Sequence, residues 1–141
     1  LSRRNRPRKT RLRRMIVKGL DAEFVIDESL IEESEKEVRR QAEEFLEGQR
    51  ESFNLNFSFP SGGLGFVLRK INEVPYGDTR TYSDIADETN SAAISIGQYC
   101  GKNPLPLIIP CHRVVGKNDL GGYKSGKDVK KRLLKLEGAD F

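Results

Sequence analysis

Residues 103–115 read Asn103-Pro104-Leu105-Pro106-Leu107-Ile108-Ile109-Pro110-Cys111-His112-Arg113-Val114-Val115. Proline donates no backbone hydrogen bond, so Pro106 and Pro110 exclude a central strand. The run predicts a buried extended segment instead. It ends on a cysteine beside the chain's single histidine. A buried cysteine is most often an inert small hydrophobe. A histidine at hand offers another fate, because the thiolate is the nucleophile and an ordinary thiol has a pKa near ~8.5. Neighbours on an extended strand point to opposite faces, so contact between the two needs a bend or a bridging water. The residue pattern alone leaves both readings open.

Upstream, two short helices precede this run. Thr81 caps one that continues through Ile85-Ala86, and Asn90-Ser91 opens a second from about Ala92 to Cys100. Pro75-Tyr76-Gly77-Asp78 is a turn before them, and Asn103-Pro104 stops the second. Two short helices joined tightly form a helix-turn-helix pattern. A helix from Leu64 to about Asn72 comes earlier. Downstream, residues 116–126 are a glycine-rich loop holding Tyr123, and Asp128 to Leu136 is a last helix ended by Glu137-Gly138.

The N-terminal part differs. Met15-Ile16-Val17, the turn Gly19-Leu20-Asp21 and Glu23-Phe24-Val25-Ile26 predict a hairpin. A helix follows, with Ser29 as its N-cap and Gly48 as its C-terminal signal. Phe53, Leu55, Phe57 and Phe59 alternate with polar residues, which predicts a half-buried strand ended by Pro60.

The 141 residues suit one domain or one small domain with an appendage. The formal net charge of +4 hides three segments. Residues 1–14 carry eight basic residues and no acid; residues 15–59 sum to −7 and residues 60–141 to +3. The first segment reads as a basic arm or linker whose crowded charges stay solvated. The chain begins at Leu1 and its only Met is Met15, so a piece of a longer protein and a start at Met15 are both open. No apolar run approaches the length of a membrane span, and no signal peptide opens the chain. An intracellular protein is the expectation. Two Cys and one His make neither a disulfide framework nor a Cys/His zinc site, so no metal is expected.

The stretch Asn103 to Val115 strongly resembles the active-site signature of the alkylguanine-DNA alkyltransferases, or methylated-DNA–protein-cysteine methyltransferases. Pro75-Tyr76-Gly77-Asp78-Thr79 and Thr81-Tyr82-Ser83-Asp84-Ile85-Ala86 look like that family's first helix-turn-helix element. Leu120-Gly121-Gly122-Tyr123 resembles its guanine-pocket loop, and Leu133-Leu134-Lys135-Leu136-Glu137-Gly138 its C-terminal helix. The resemblance covers about residues 53–138. It implies an α+β fold with a small, reduced N-terminal β/α subdomain over residues 15–60. Residues 61–141 would be a C-terminal helical subdomain carrying the helix-turn-helix and the buried active-site Cys segment.

The resemblance also implies roles. Cys111 attacks the alkyl carbon on the position-6 oxygen of guanine and keeps the group, once per molecule. His112 acts as general base through a water, and Glu137 orients it. Tyr82 brings its hydroxyl to the guanine ring, and Asn103 ties the recognition helix to the Cys loop. Tyr123 walls the pocket, the backbone at Lys124 faces the substrate oxygen, and the carbonyls of Cys111 and Val114 accept from the guanine amine. Thr81, Ser91, Ala92, Ala93, Ile94, Ser95 and Gly97 form the DNA-facing set, with Ala92, Ala93, Ser95 and Gly97 as the small residues for close approach to the minor groove of double-stranded DNA. The family carries an arginine on this helix to fill the vacated place in the stack; counting back from Asn103-Pro104, that place holds Ile94. An apolar wedge can unstack bases but donates no hydrogen bond. Read without the resemblance, Tyr82 and Tyr123 are core aromatics, Asn103 a helix stop and Glu137 a helix-end carboxylate.

The expected protein is a monomer that repairs alkylated guanine, alone or as part of a longer repair protein. A non-catalytic lesion sensor of the same fold and a DNA-binding module are the alternatives. A cysteine hydrolase ranks last, since no oxyanion signature is visible.

Overall fold

The computed structural model describes residues 13–141. Residues 1–12 of the expected basic arm lie outside them, and Arg14 already opens the first strand. Strands β1 (Arg14–Gly19) and β2 (Ala22–Asp27) form the expected hairpin, with Met15 opposite Ile26 and Val17 opposite Phe24. These four are buried while the paired Ile16 and Val25 face outward. Leu20 and Asp21 both take left-handed φ, 52° and 57°, which matches the right-handed twist of a two-residue hairpin.

Helix α1 (Glu35–Leu46) packs on β1. Its N-cap is Ser34, whose side chain accepts from Glu37 N, not the expected Ser29. Ser29 sits instead in a 3-10 turn, Glu28–Leu30, capped by Asp27. Asp27 accepts from both the Ser29 amide and its hydroxyl, so that residue is already engaged. Gly48, with φ 78°, follows the helix as predicted.

The expected strand at 53–59 is not a strand. Phe53, Leu55, Phe57 and Phe59 are half-buried and alternate with exposed residues, as read, but the segment makes one isolated bridge, Ile31 with Phe57. Side chains take the place of a neighbouring strand. Gln41 exchanges two hydrogen bonds with the backbone of Asn54, at 2.8 and 3.0 Å, and Glu33 accepts from Asn56 N at 2.8 Å. Alternation reports a half-buried surface; a ladder also needs a partner strand.

Helices α2 (Gly62–Ile71), α3 (Tyr82–Thr89) and α4 (Ala93–Gly101) pack on one another. Thr81 caps α3 in a reciprocal capping box with Asp84. Asn90, left-handed at φ 53°, ends it. Strand β3 (Arg80–Thr81) pairs in parallel with β4 (Val114–Val115). Helix α5 (Lys127–Leu136) packs under the segment between them. Apolar residues from both sides of position 60 join a single core.

The segment 104–110 is buried, as expected, but it is not extended. Ile109 N donates to Leu105 O at 2.9 Å, and Leu107 has φ 74°. The prolines deny it a ladder, and a tight turn closes its hydrogen bonds internally. Cys111–Arg113 then forms one 3-10 turn, which supplies the bend that Cys111 and His112 require.

Candidate active site

Asn103 follows α4 and is buried. Its side chain does what a backbone strand would otherwise do for the turn. Oδ1 accepts from Leu105 N at 2.9 Å, and Nδ2 donates to Ile109 O at 2.9 Å. Nδ2 also lies 3.3 Å from Cys111 Sγ. One amide therefore fixes both ends of the turn and meets the thiol. Cys111 is 5% exposed. A hydrogen bond shared with the neighbouring Cys100 sulfur, which favours the protonated form of Cys111, and its own burial push the Cys111 thiol up; Asn103 and Lys130 pull the other way. At rest this is a thiol, and it needs a base.

His112 is fully buried. Its Nε2 lies 2.6 Å from Glu137 Oε2. Phe45 supports the ring, centroids 6.2 Å apart, and itself contacts Phe53 and Tyr76. Truncating such a buried aromatic costs about 3–5 kcal/mol. Burial holds the imidazole below its ordinary value against the pull of Glu137. Burial alone would raise the Glu137 carboxyl, but hydrogen bonds from His112 and Arg113 hold it at about 2. An ionised carboxylate accepts, so Nε2 carries the proton and Nδ1 keeps its lone pair. Nδ1 is buried with no protein partner.

Glu137 is the C-cap of α5. A carboxylate there opposes the helix dipole. Its partners outweigh that cost: Arg113 donates from Nε at 2.8 Å and Nη2 at 3.0 Å, and Gly77 N donates at 3.0 Å. The third Arg113 nitrogen, Nη1, donates to Val74 O at 2.8 Å. The turn 75–78, the Cys111 turn and the end of α5 thus meet on one carboxylate.

The sequence reading missed Arg113 as part of this hub, and it missed Lys130. Lys130 is buried, and its Nζ donates to Val114 O at 2.6 Å, Gly122 O at 3.0 Å and the Tyr82 hydroxyl at 3.3 Å. Burial lowers its pKa to about 8. The signal was legible: Lys130 falls three and four residues before the buried Leu133 and Leu134, on the inner face of α5. Val114 O and Cys111 O each already have one donor, Lys130 and Val114 N, and each keeps a second lone pair.

Tyr82 opens α3 beside the glycine-rich loop, its hydroxyl pushed up to about 12 by burial. A Cβ at Gly121 would stand 2.4 Å from that hydroxyl, and Gly121 has φ 73°, so only glycine fits. A groove of about 690 Å³ runs between α4 and this loop, lined by Tyr82, Ala93, Ile94, Gly97, Tyr123 and Lys124 among others. Cys111 opens into a smaller cavity of about 230 Å³ with Asn103 and Cys100. Tyr123, Lys124 and Cys100 line both spaces, so the two adjoin.

The expected DNA-facing residues divide. Ala92, Ala93 and Gly97 are exposed, and Ile94 is 74% exposed. Thr81 spends its hydroxyl on Asp84 N, and Ser91 hydrogen-bonds Thr89 within the turn. Ser95 is half-buried. Among the described residues no group of three His, Cys, Asp or Glu side chains could hold a metal ion, and no helix is long and apolar enough to cross a membrane.

Comparison with known proteins agrees with this geometry. The family model of the 6-O-methylguanine DNA methyltransferase DNA-binding domain matches residues 66–139. A methylated-DNA–protein-cysteine methyltransferase of Archaeoglobus fulgidus is 43% identical over 112 residues, covering 74% of this chain and 76% of that one. The inducible enzyme of that name from Bacillus subtilis is 42% identical over 100 residues, 67% of this chain and 55% of its own. The crystal structure of Mycobacterium tuberculosis O6-methylguanine methyltransferase superposes with TM-score 0.67 at 33% identity, over 73% of this chain and 65% of that one. The same organism's protein solved with DNA gives 0.69 at 33% identity, over 73% and 66%. This chain thus spans slightly less than two thirds of those solved proteins. Sequence match, shared fold and the Cys111 turn converge: the chain belongs to the methylated-DNA–protein-cysteine methyltransferase family.

Proposed function

We propose that this protein binds DNA through α3 and α4 and removes an alkyl group from the position-6 oxygen of guanine onto Cys111, once per molecule and without a cofactor. The observation that carries the reading is the buried row of Cys111, neutral His112 and ionised Glu137, with the Asn103 amide at the sulfur. His112 Nδ1 takes the thiol proton through a water. The sulfur–carbon bond forms as the carbon–oxygen bond breaks, and guanine leaves as an anion that recovers the proton. The target atom is unreachable in the stack, so the base must leave the duplex. The groove beside Tyr82 and Tyr123 receives it, with small residues of α4 close against the minor groove and Ile94 as the wedge. The protein acts as a monomer.

Incubation with DNA containing methylated guanine adds one methyl group to the peptide holding Cys111, once and stoichiometrically, read by mass spectrometry. Cys111→Ala keeps DNA affinity and loses transfer. Binding without any adduct on the parent protein establishes a lesion sensor instead, and transfer retained by Cys111→Ala moves the acceptor to Cys100.

A further inference from the structure

Two buried side-chain polar atoms lack a hydrogen-bond partner among the described residues: His112 Nδ1 and the Tyr123 hydroxyl. Buried polar groups are rarely left so, and each one stranded costs about 1–3 kcal/mol. Tyr123 lines a cavity with Cys111, and His112 is the next residue in the chain. The His112 and Tyr123 rings meet edge to face, centroids 6.4 Å apart and planes at 79°. Tyr123 and Cys111 line the same cavity of about 230 Å³, which is polar at Asn103 and roomy enough for water. Burial raises the pKa of the Tyr123 hydroxyl, so it remains a donor throughout the working range.

The ring alone explains a wall shared by the two cavities. It does not explain a hydroxyl with no protein acceptor beside a thiol that needs deprotonation. We propose that the Tyr123 hydroxyl is a positioning group for proton transfer, holding the water that carries the Cys111 proton to His112 Nδ1. This rests on the alkyl-transfer reading above. The water accepts from Tyr123 and from the Cys111 thiol and donates to Nδ1. When sulfur attacks, the thiol proton passes to the water as the water's own proton passes to Nδ1. The imidazolium then returns that proton to the departing guanine, so no external acid or base is consumed.

Tyr123→Phe keeps the ring and removes the hydroxyl. Single-turnover methyl transfer is measured between pH 6 and 9, on methylated DNA and on the free methylated base. The variant is expected to bind DNA as the parent does and to label Cys111 completely. Its rate should fall about tenfold on both substrates, a barrier change of about 1.4 kcal/mol. Its rate should also climb more steeply with pH, as hydroxide replaces the lost relay. A merely structural role would not move the pH profile. An unchanged rate and profile, or a loss confined to DNA, overturns the proposal while transfer by the parent leaves the family reading intact. A parent that acquires no methyl group overturns both. As a second measurement, a proton inventory on the parent should curve, reporting more than one proton in motion; a straight line overturns the proposal.

Discussion

His112 Nε2 lies 2.6 Å from Glu137 Oε2 in a pair with no exposed side-chain surface. The same carboxylate holds Arg113. Glu137 therefore serves one guanidinium and one neutral imidazole and cannot be neutralised without cost.

The first prediction concerns acid. Folding holds Glu137 at about 2 against an ordinary 4.5, and holds His112 below its ordinary 6.5. In both cases the unfolded chain binds more protons, so stability falls as pH falls. The His112 part is lost downward from about 6.5, and the Glu137 part between about 4.5 and 2. Urea unfolding midpoints measured across pH should show both limbs. Glu137→Gln should lose about 3–5 kcal/mol at neutral pH, because Arg113 keeps a buried charge without its counter-ion. It should also flatten the lower limb; a limb of undiminished slope would show that other carboxylates set it.

Lys130→Met removes the donor that the Val114 carbonyl takes from this side chain and leaves Gly122 O with the Tyr82 hydroxyl at 3.5 Å. The expected loss is about 1–3 kcal/mol, together with slower transfer as the glycine-rich loop loosens. The parent has a further signature. Lys130 is held at about 8 against 10.5, so parent stability should rise as pH is raised between those values, and the variant's should not.

Ile94→Arg tests the wedge. Ile94 is 74% exposed and lines the large groove. A guanidinium there can hydrogen-bond the orphaned partner base, which isoleucine cannot. Transfer from duplex DNA should quicken severalfold while transfer from the free base stays level. Equal effects on both substrates remove Ile94 from the flipping step.

Gly97 lies in α4 without left-handed φ, and a Cβ there would meet nothing within 4 Å. Folding alone would favour alanine by about 0.5–1 kcal/mol. Gly97→Ala should raise the unfolding temperature and, on the proposed minor-groove docking of α4, weaken DNA binding. Stabilisation with unchanged affinity would place the DNA elsewhere.

Much of this was legible before the coordinates. The hairpin was marked by its turn and alternation, and α3 by Thr81. The cluster of Cys111, His112, Glu137, Asn103, Tyr82 and Tyr123 followed from a resemblance rather than from periodicity. Three things escaped for physical reasons. Residues 53–59 alternate correctly, yet Gln41 and Glu33 satisfy the backbone that a strand would have paired. The turn that precedes Cys111 passes through Leu107 at a positive φ that few sequences advertise. Lys130 sits in a helix of many lysines, where only its place in the rotation separates a buried cation from solvated ones.

The pairing of Arg80 with Val114 and Thr81 with Val115 has an evolutionary corollary. Two residues on each side set the phase between the start of α3 and the turn that presents the sulfur. A single insertion at 79–82 or 112–116 would slip this two-residue register and turn its side chains to the opposite face. The exposed tip at 117–119 carries no such phase. Length variation among relatives of this chain should therefore gather at that tip and be purged from the paired residues.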